Sequence, residues 1–118
     1  MGNIKINRYD LIVDGVMADT DEIRSSVQNV AYFSNIGIHF IWTGDAVGTY
    51  SIWASNTDDE DEFFQITDLD APFVEPSGTP GVFGTNLNQF PWEFVQVRYV
   101  NDSGTGVLNV KIFERNLA

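Results

Sequence analysis

The side chains that could perform nucleophilic catalysis in this sequence are few. His39 is its only histidine, and Ser51 and Ser55 lie in the segment that follows. A catalytic triad needs a histidine within hydrogen-bonding distance of the nucleophile and an acid that orients the imidazole. The sequence has no G-x-S-x-G motif to place such a serine on a sharp turn. We therefore expect His39 to lie on the solvent side of a strand, without a catalytic role.

The strongest charge run consists of five consecutive acidic residues, 58–62. Calcium takes about six to eight oxygen ligands and is often bound by acidic loops. The spacing is not that of an EF-hand, because no glycine lies inside the run and no glutamate follows at the twelfth position. We expect a solvated loop, with a weak calcium site at Asp58, Asp59 and Asp61 as the alternative; no other cofactor is indicated.

Carboxylates elsewhere could face each other across a cleft, as glycoside hydrolysis requires. Asp68, Asp70, Glu75 and Glu93 flank the irregular segment 69–91, which contains all four prolines. With 17 acidic residues in the chain, such a pairing has little specificity. Phosphate-binding and zinc-protease signatures are absent from the sequence. We therefore expect no enzymatic activity, and a hydrolase is the least favoured of three hypotheses.

Aromatic side chains and one arginine are better candidates for binding a partner. Trp53 alternates onto a polar strand face, and Phe83, Phe90 and Trp92 lie in the Gly/Pro-rich region. Such rings can stack on sugars or anchor protein contacts. Alternatively, Phe90 and Trp92 cover one end of the core. Arg98 lies mid-strand on a polar face, where it would pair with a carboxylate or contact a neighbouring subunit.

Alternation of polar and apolar residues is the dominant pattern and predicts β-strands. Residues 35–43 and 49–55 flank one short Gly-containing loop, and residues 94–100 and 107–113 flank another. Each pair is therefore interpreted as a β-hairpin. One face of the four strands carries the following apolar residues: Ile36, Ile38, Phe40, Trp42, Tyr50, Ile52, Ala54, Val95, Val97, Tyr99, Leu108, Val110 and Ile112.

The rest of the chain gives less regular signals. Asp14-Gly15 predicts a turn, and the segment that begins at Asp19 predicts at most one turn of helix. Segment 69–91 is expected to cross between sheets as a long loop. Additional short strands are expected at 5–13, 26–33, 63–68 and 81–87. The sequence thus predicts one all-β domain, residues 1–118, folded as an antiparallel β-sandwich (jelly-roll-like or Ig-like) of seven to eight strands.

Composition excludes several classes of protein. The chain has 17 acidic and 6 basic residues and a formal net charge of -11, which argues against binding nucleic acid or an anionic membrane. It has no cysteine, so disulfides and zinc–thiolate sites are excluded. No signal peptide or membrane-spanning segment is recognisable. We expect synthesis in a cytoplasm and no membrane anchor of the chain's own.

Three segments carry a resemblance to a known group of proteins. Residues 41–50 contain W-T-G and G-T, residues 51–56 end in S-N, and residues 97–108 contain V-R-Y and S-G-T-G-x-L. This combination resembles small virion structural proteins of bacteriophages over about Ser34 to Glu114, departing at the acidic run, where such proteins often carry a shorter loop. The resemblance implies β-sandwich subunits of capsids, tails or spikes that act by packing.

These observations lead to one preferred hypothesis and one rival. The preferred hypothesis is a non-enzymatic virion protein (capsid decoration, vertex, spike or tail component) that assembles as a trimer or larger ring with other virion proteins. The rival is a carbohydrate-binding or adhesive module, in which Trp53 and Trp92 stack on sugars and the acidic run binds calcium.

Overall fold

The computed structural model describes residues 4–19, 22–31, 35–67, 74–88 and 90–117. Within them the alternating segments form strands, and the one helical element is a short 3₁₀-helix, Glu60–Glu62. No helix in this part of the chain has the length and apolar character needed to cross a membrane. The nine strands are β1 (Ile4–Met17), β2 (Glu22–Arg24), β3 (Gln28–Asn29), β4 (Asn35–Gly44), β5 (Val47–Ser55), β6 (Phe64–Gln65), β7 (Gly81–Asn88), β8 (Phe94–Ser103) and β9 (Gly106–Leu117).

The strands form two antiparallel sheets that pack face to face, which confirms the predicted β-sandwich. The first sheet, sheet A, has the order β1-β9-β4-β7. The second, sheet B, has the order β2-β8-β5-β6, and β3 also pairs with β8. With β2 and β3 sharing one position beside β8, this is the order of a jelly roll, two Greek keys wrapped into two sheets.

Both predicted hairpins are wrong in their pairing, although their strands are present. β4 belongs to sheet A and β5 to sheet B, and the same separation holds for β9 and β8. Each short connection therefore passes from one sheet to the other, and we call the two connections the arches: Asp45–Ala46 and Gly104–Thr105. β4 pairs with β9 and β5 pairs with β8, so the arches lie side by side.

The backbone of the first arch differs from that of a type I′ hairpin turn. A two-residue type I′ hairpin needs positive φ at both central residues. Around the first arch, positive φ occurs only at Gly44 (84°), the last residue of β4. The backbone N–H of Asp45 donates to the carbonyl of Thr105 (2.9 Å), and the N–H of Thr105 donates to the Asp45 carboxylate (2.9 Å). The arches thus satisfy each other's polar groups.

The predicted apolar faces of the four long strands are confirmed as the core. The thirteen side chains on these faces are all at most 3% exposed. Phe40 of sheet A and Tyr50 of sheet B stack with ring centroids 4.0 Å apart. Burial raises the pKa of the Tyr99 hydroxyl to about 12, and this hydroxyl donates to Asn101 Oδ1 at 2.9 Å.

Several shorter predictions need correction. Asp14-Gly15 is no turn: β1 runs through it with a shift in register, and the N–H of Asp14 donates to Asn109 Oδ1. Residues 22–24 form strand β2, not a helical turn. Within the described residues the strands expected at 26–33 and 63–68 shorten to β3 and β6, whereas that at 81–87 is confirmed as β7; residues 32–34 lie outside the description. Residues 68–73 lie outside the described part of the chain.

Replacing Gly44 should weaken the fold at the first arch. A Cβ at this position would clash with the carbonyl oxygen of Thr105, and alanine is also strained at the positive φ. We expect Gly44→Ala to lower the free energy of unfolding by about 2 kcal/mol or more in urea denaturation. Gly78→Ala is the matched control, since Gly78 has a φ of 104° but nothing within 4 Å of its added Cβ. Equal losses in both variants would contradict the role of arch packing.

A buried carboxyl group lies in the same core. Glu114 of β9 points inward with 1% of its surface exposed, opposite Ile36 of β4. Neither carboxylate oxygen has a hydrogen-bond partner among the described residues. Burial raises the pKa of Glu114 to about 7, an effect that the Gln28 side chain only partly offsets. The folded protein therefore holds this proton more tightly than the unfolded chain.

The stability of the protein should reflect this proton. Between the unfolded pKa of 4.5 and the folded pKa of about 7, the folded state increasingly loses stability as the pH rises. We expect Glu114→Gln to be more stable than wild type by about 3 kcal/mol above pH ~8 and nearly equal to it below pH ~4. Urea denaturation across this range measures the difference. A difference that does not change with pH would contradict the assignment.

Candidate interaction surfaces

The outer face of sheet B contains two of the residues singled out from the sequence. Trp53 of β5 and Arg98 of β8 point away from the core, and the Arg98 guanidinium carbon lies 3.9 Å from the centroid of the indole. The indole N–H donates to Ser51 Oγ at 2.7 Å. One face of the Trp53 ring is therefore occupied by a cation of the same chain, in a cation–π contact.

This outward-facing cluster is nonetheless buried. Gln96 is 0% exposed and Arg98 is 7% exposed, because the chain folds back over both side chains. Gln96 Nε2 donates to the carbonyl of Ser25 (3.0 Å) and to the carboxylate of Glu60. Ser25 is also anchored to β8, since its hydroxyl accepts from the N–H of Val97 at 2.9 Å. The Ser25 connection and the acidic run thus cover this face.

Arg98 binds neutral groups, not the carboxylate expected from the sequence. Its Nε donates to Gln96 Oε1 (2.8 Å) and its Nη2 to the carbonyl of Glu60 (3.2 Å). Burial lowers the pKa of the guanidinium, and Arg24 acts in the same direction, while acidic neighbours including Glu22 and Glu60 oppose both effects. Arg24, opposite Arg98 in the sheet, forms an exposed ion pair with Glu22.

The acidic run has structural contacts of its own. The Asp59 carboxylate accepts from the N–H of Asp61 (3.0 Å) and caps the 3₁₀-helix, and Glu62 accepts from the Thr57 hydroxyl (2.9 Å). All five side chains of 58–62 are exposed. Among the described residues no three His, Asp or Glu side chains lie close enough together to hold a metal ion. A calcium site at Asp58, Asp59 and Asp61 remains a prediction.

The other aromatic candidates do not share a surface with Trp53. Phe83 packs against Phe40 at a centroid distance of 6.5 Å and joins the core, and Phe90 is 9% exposed. Trp92 packs against the core and meets the ring of Phe64 edge-on at 4.8 Å. Because Phe64 pairs with the buried Ala54, this aromatic pair lies on the inner side of β6, facing away from Trp53. The five predicted interaction residues therefore form no single patch.

The weighed catalytic combinations are also kept apart. His39 is exposed on the outer face of sheet A, whereas Ser51 and Ser55 belong to sheet B. Glu75 is next to Pro76, whose carbonyl accepts a hydrogen bond from the beginning of β5. The N–H of Glu93 donates to the Asn56 side chain, and Asn56 follows the end of the same strand. Burial and the nearby Asp102 raise the pKa of Glu75. Asp68 and Asp70 lie outside the described residues.

The outer face of sheet A contains a groove that was not predicted from the sequence. It has a volume of about 760 Å³ and crosses β1, β9, β4 and β7. Its floor contains Gly37 and Gly84, on neighbouring strands, where the missing side chains leave a depression. Isolated glycines inside alternating strands often mark a close approach of another group, and this signal was available in the sequence.

The walls of the groove are basic and aromatic. Arg8, His39, Lys111 and Phe113 line it, and the Arg8 guanidinium lies 5.5 Å from the centroid of the Phe113 ring. Lys111 forms an ion pair with Asp10, a further wall residue, at 3.0 Å. A smaller cavity of about 200 Å³ shares Phe113 and extends the groove to Arg115. Two sites thus stand out: the covered cluster of sheet B and the open groove of sheet A.

Comparison with known proteins adds information about the fold. No protein-family model matches the sequence, and no curated protein matches it significantly. The solved structures with the same architecture include the SPBc2 prophage-derived protein YomS, at 14% identity and a TM-score of 0.64, with 98% of this chain and 97% of that chain covered. These values establish a shared β-sandwich fold along nearly the whole of both chains.

Two larger proteins contain the same fold. A chain in the structure of infectious bursal disease virus, Gx strain, is similar at 10% identity and a TM-score of 0.64, covering 97% of this chain and 32% of that chain. The enzymatically active domain of tailspike protein 4 of bacteriophage CBA120 is similar at 10% identity and a TM-score of 0.50, with 97% and 19% covered. This chain spans about a third or less of these two proteins.

The covered cluster of sheet B predicts a large effect of removing Arg98. Arg98→Ala would leave the buried Gln96 oxygen and Glu60 carbonyl without their donor and uncover the Trp53 ring. We expect a loss of about 2–4 kcal/mol in the free energy of unfolding, measured in urea. Arg24→Ala is the matched control, because exposed ion pairs contribute little. Similar losses for both variants would show that Arg98 does not stabilise the covered face.

Proposed function

We propose that this protein is a non-enzymatic structural component of a virus particle, most specifically a bacteriophage capsid decoration, vertex, spike or tail subunit. It acts through protein–protein contacts and works as a homo-oligomer, a trimer or larger ring, beside other virion proteins. The observation that carries the proposal is the fold shared with a prophage-derived protein along 98% and 97% of the two chains.

The surfaces of the molecule support a role in assembly. The outer face of sheet A is open among the described residues. It contains the groove and, beyond it, exposed valines: Val16 is 68% exposed and Val82 is 64% exposed. Apolar side chains on a broad sheet face are typical of protein contact sites. Those residues weighed for catalysis that the structure describes lie on separate faces or at opposite ends of a strand, so an assembly role accounts for more of the described structure than a hydrolytic one.

The proposal predicts that the chain is part of purified particles. After density-gradient purification of particles from the source culture, the protein should sediment with them and stay bound through a wash in the same buffer. A host cytoplasmic protein followed in the same fractions serves as the control. Recovery of the chain only in the particle-free supernatant would overturn the virion assignment.

Oligomeric state and calcium are tested together by light scattering. We expect a mass of three or more chains that does not change when calcium is replaced by a chelator, because the carboxylates of 58–62 are exposed and three of them do not converge. If the mass or the thermal stability depends on calcium, and the Asp58→Asn/Asp61→Asn variant loses this dependence, the result would instead support a calcium site in the acidic run.

A carbohydrate-binding or adhesive module is the second candidate. Phe64 is 41% exposed and meets Trp92 edge-on, which leaves aromatic surface at the rim of the sandwich. Aromatic surfaces of this kind can stack on sugar rings. A glycan array probed with and without calcium tests this function, and Trp92→Ala should abolish any signal. Binding that survives in Trp92→Ala would place the sugar elsewhere.

A further inference from the structure

The groove of sheet A concentrates unpaired positive charge in an acidic protein. Of the six basic residues, Arg8 and Lys111 line the groove and Arg115 lines its extension. Within the described residues the ion pairs are Lys111–Asp10 and Arg24–Glu22, so Arg8 and Arg115 have no acidic partner. Arg8 is held over the Phe113 ring, which orders its guanidinium without neutralising it.

No side chain of the described residues fills this groove. A Cβ added to Gly84 would meet no atom closer than the carbonyl of Ile38 at 3.9 Å, and one added to Gly37 would meet Asn86 Oδ1 at 3.7 Å. Neither glycine has a positive φ. Backbone conformation therefore does not demand glycine at either position, and the space above them is available to a ligand. Its volume lies in the range of about 300–1,000 Å³ that is usual for binding clefts.

The acidic run supplies a surface of complementary charge on the other side of the molecule. It has five successive exposed carboxylic residues and covers the outer face of sheet B, opposite the groove. The 3₁₀-helix and its Asp59 cap hold it in one conformation. Glu60 and Glu62 bind Gln96 and Thr57, whereas the exposed carboxylates of Asp58 and Asp61 accept no hydrogen bond from the described residues.

The surroundings of the groove favour a protein as its occupant. Arg8 lies over one face of the Phe113 ring, so this face is not available to stack on a sugar. Beyond the groove the same face of the sheet continues into paired aliphatic residues, Val82 with Ile41 and Val16 with Val107. Copies with a net charge of -11 repel each other unless a contact joins regions of opposite charge.

We infer that the groove of sheet A receives the acidic run, 58–62, of a second copy of this chain. The inference rests on the proposed assembly function and names its contact. Because groove and run lie on opposite faces, the contact is head-to-tail: each copy uses its groove for one neighbour and its run for another. If the rotation between successive copies adds up to one full turn, the copies form a closed ring, in agreement with the oligomer proposed above.

Charge reversal on each side separately tests this contact. The groove variant is Arg8→Glu/Arg115→Glu, since both arginines are exposed and lack ion pairs. The run variant is Asp58→Lys/Asp61→Lys, which spares the capping and hydrogen-bonded members of the run. Each variant alone would bring like charges together, and we expect self-association, measured by light scattering and sedimentation, to weaken by at least about tenfold.

Combining the two reversals in one chain provides the decisive arm. The glutamates of each groove then face the lysines of the neighbouring copy's run at every contact, so the chain with both reversals should regain the wild-type mass whatever the number of copies in the ring. Assembly should also weaken between about 0.05 M and about 0.5 M salt. Asp102→Lys, at the arch end of the molecule, controls for net charge, and far-ultraviolet circular dichroism checks that every variant is folded.

A steric variant tests the groove without altering charge. Gly84→Phe places a ring in the empty space and should prevent assembly, whereas Gly84→Ala should be tolerated. If the charge variants assemble like wild type, or the chain with both reversals does not recover, the contact is refuted while assembly itself stands. If wild type is monomeric at all concentrations, a second copy is not the occupant, and co-sedimentation with particles still decides the virion function.

Discussion

The two arches are the constraint on which the rest of the structure depends. The hydrogen bonds between Asp45 and Thr105 join two connections that are 60 residues apart in the chain. Once they are joined, β4 must lie beside β9 in one sheet and β5 beside β8 in the other. These are the two central pairs of the sandwich, so the remaining strands can only be added at the edges. The core faces of all four strands are fixed toward each other by the same step.

The faces of the strands could be predicted from the sequence, whereas their partners could not. Alternation at Ile36, Ile38 and Phe40 reports which side is buried, because burial repeats every second residue. It carries no information on which strand lies alongside. A short connection with glycine looks alike whether the chain turns back within one sheet or passes to the other. What separates the two is the backbone at Gly44 and the hydrogen bonds of Asp45, which involve residues distant in sequence.

The candidate surfaces could also be predicted only in part from the sequence. Trp53 and Arg98 were recognised from their positions on a polar strand face, and the structure brings them together. The burial of Arg98 was not foreseeable, because it results from the Glu60 and Ser25 segments folding over β8. The groove was not predicted because Gly37 and Gly84 form it by leaving empty space, whereas the sequence signals that were used come from large and charged side chains. Arg8 and Lys111 become neighbours only through the pairing of β1 with β9.

The two outer faces of the sandwich therefore differ in kind. Sheet B is closed by its own chain, and the acidic run that closes it presents its carboxylates outward. No described segment covers sheet A in this way, and its open face carries Arg8 and Arg115, which form no ion pair with a described acidic residue. In a protein with a net charge of -11, uniform mixing of charges would leave every face negative and every pair of copies repulsive. Placing Arg8, Lys111 and Arg115 on one open face, opposite the strongest acidic run, gives the two faces the opposite charges that the proposed contact between copies requires.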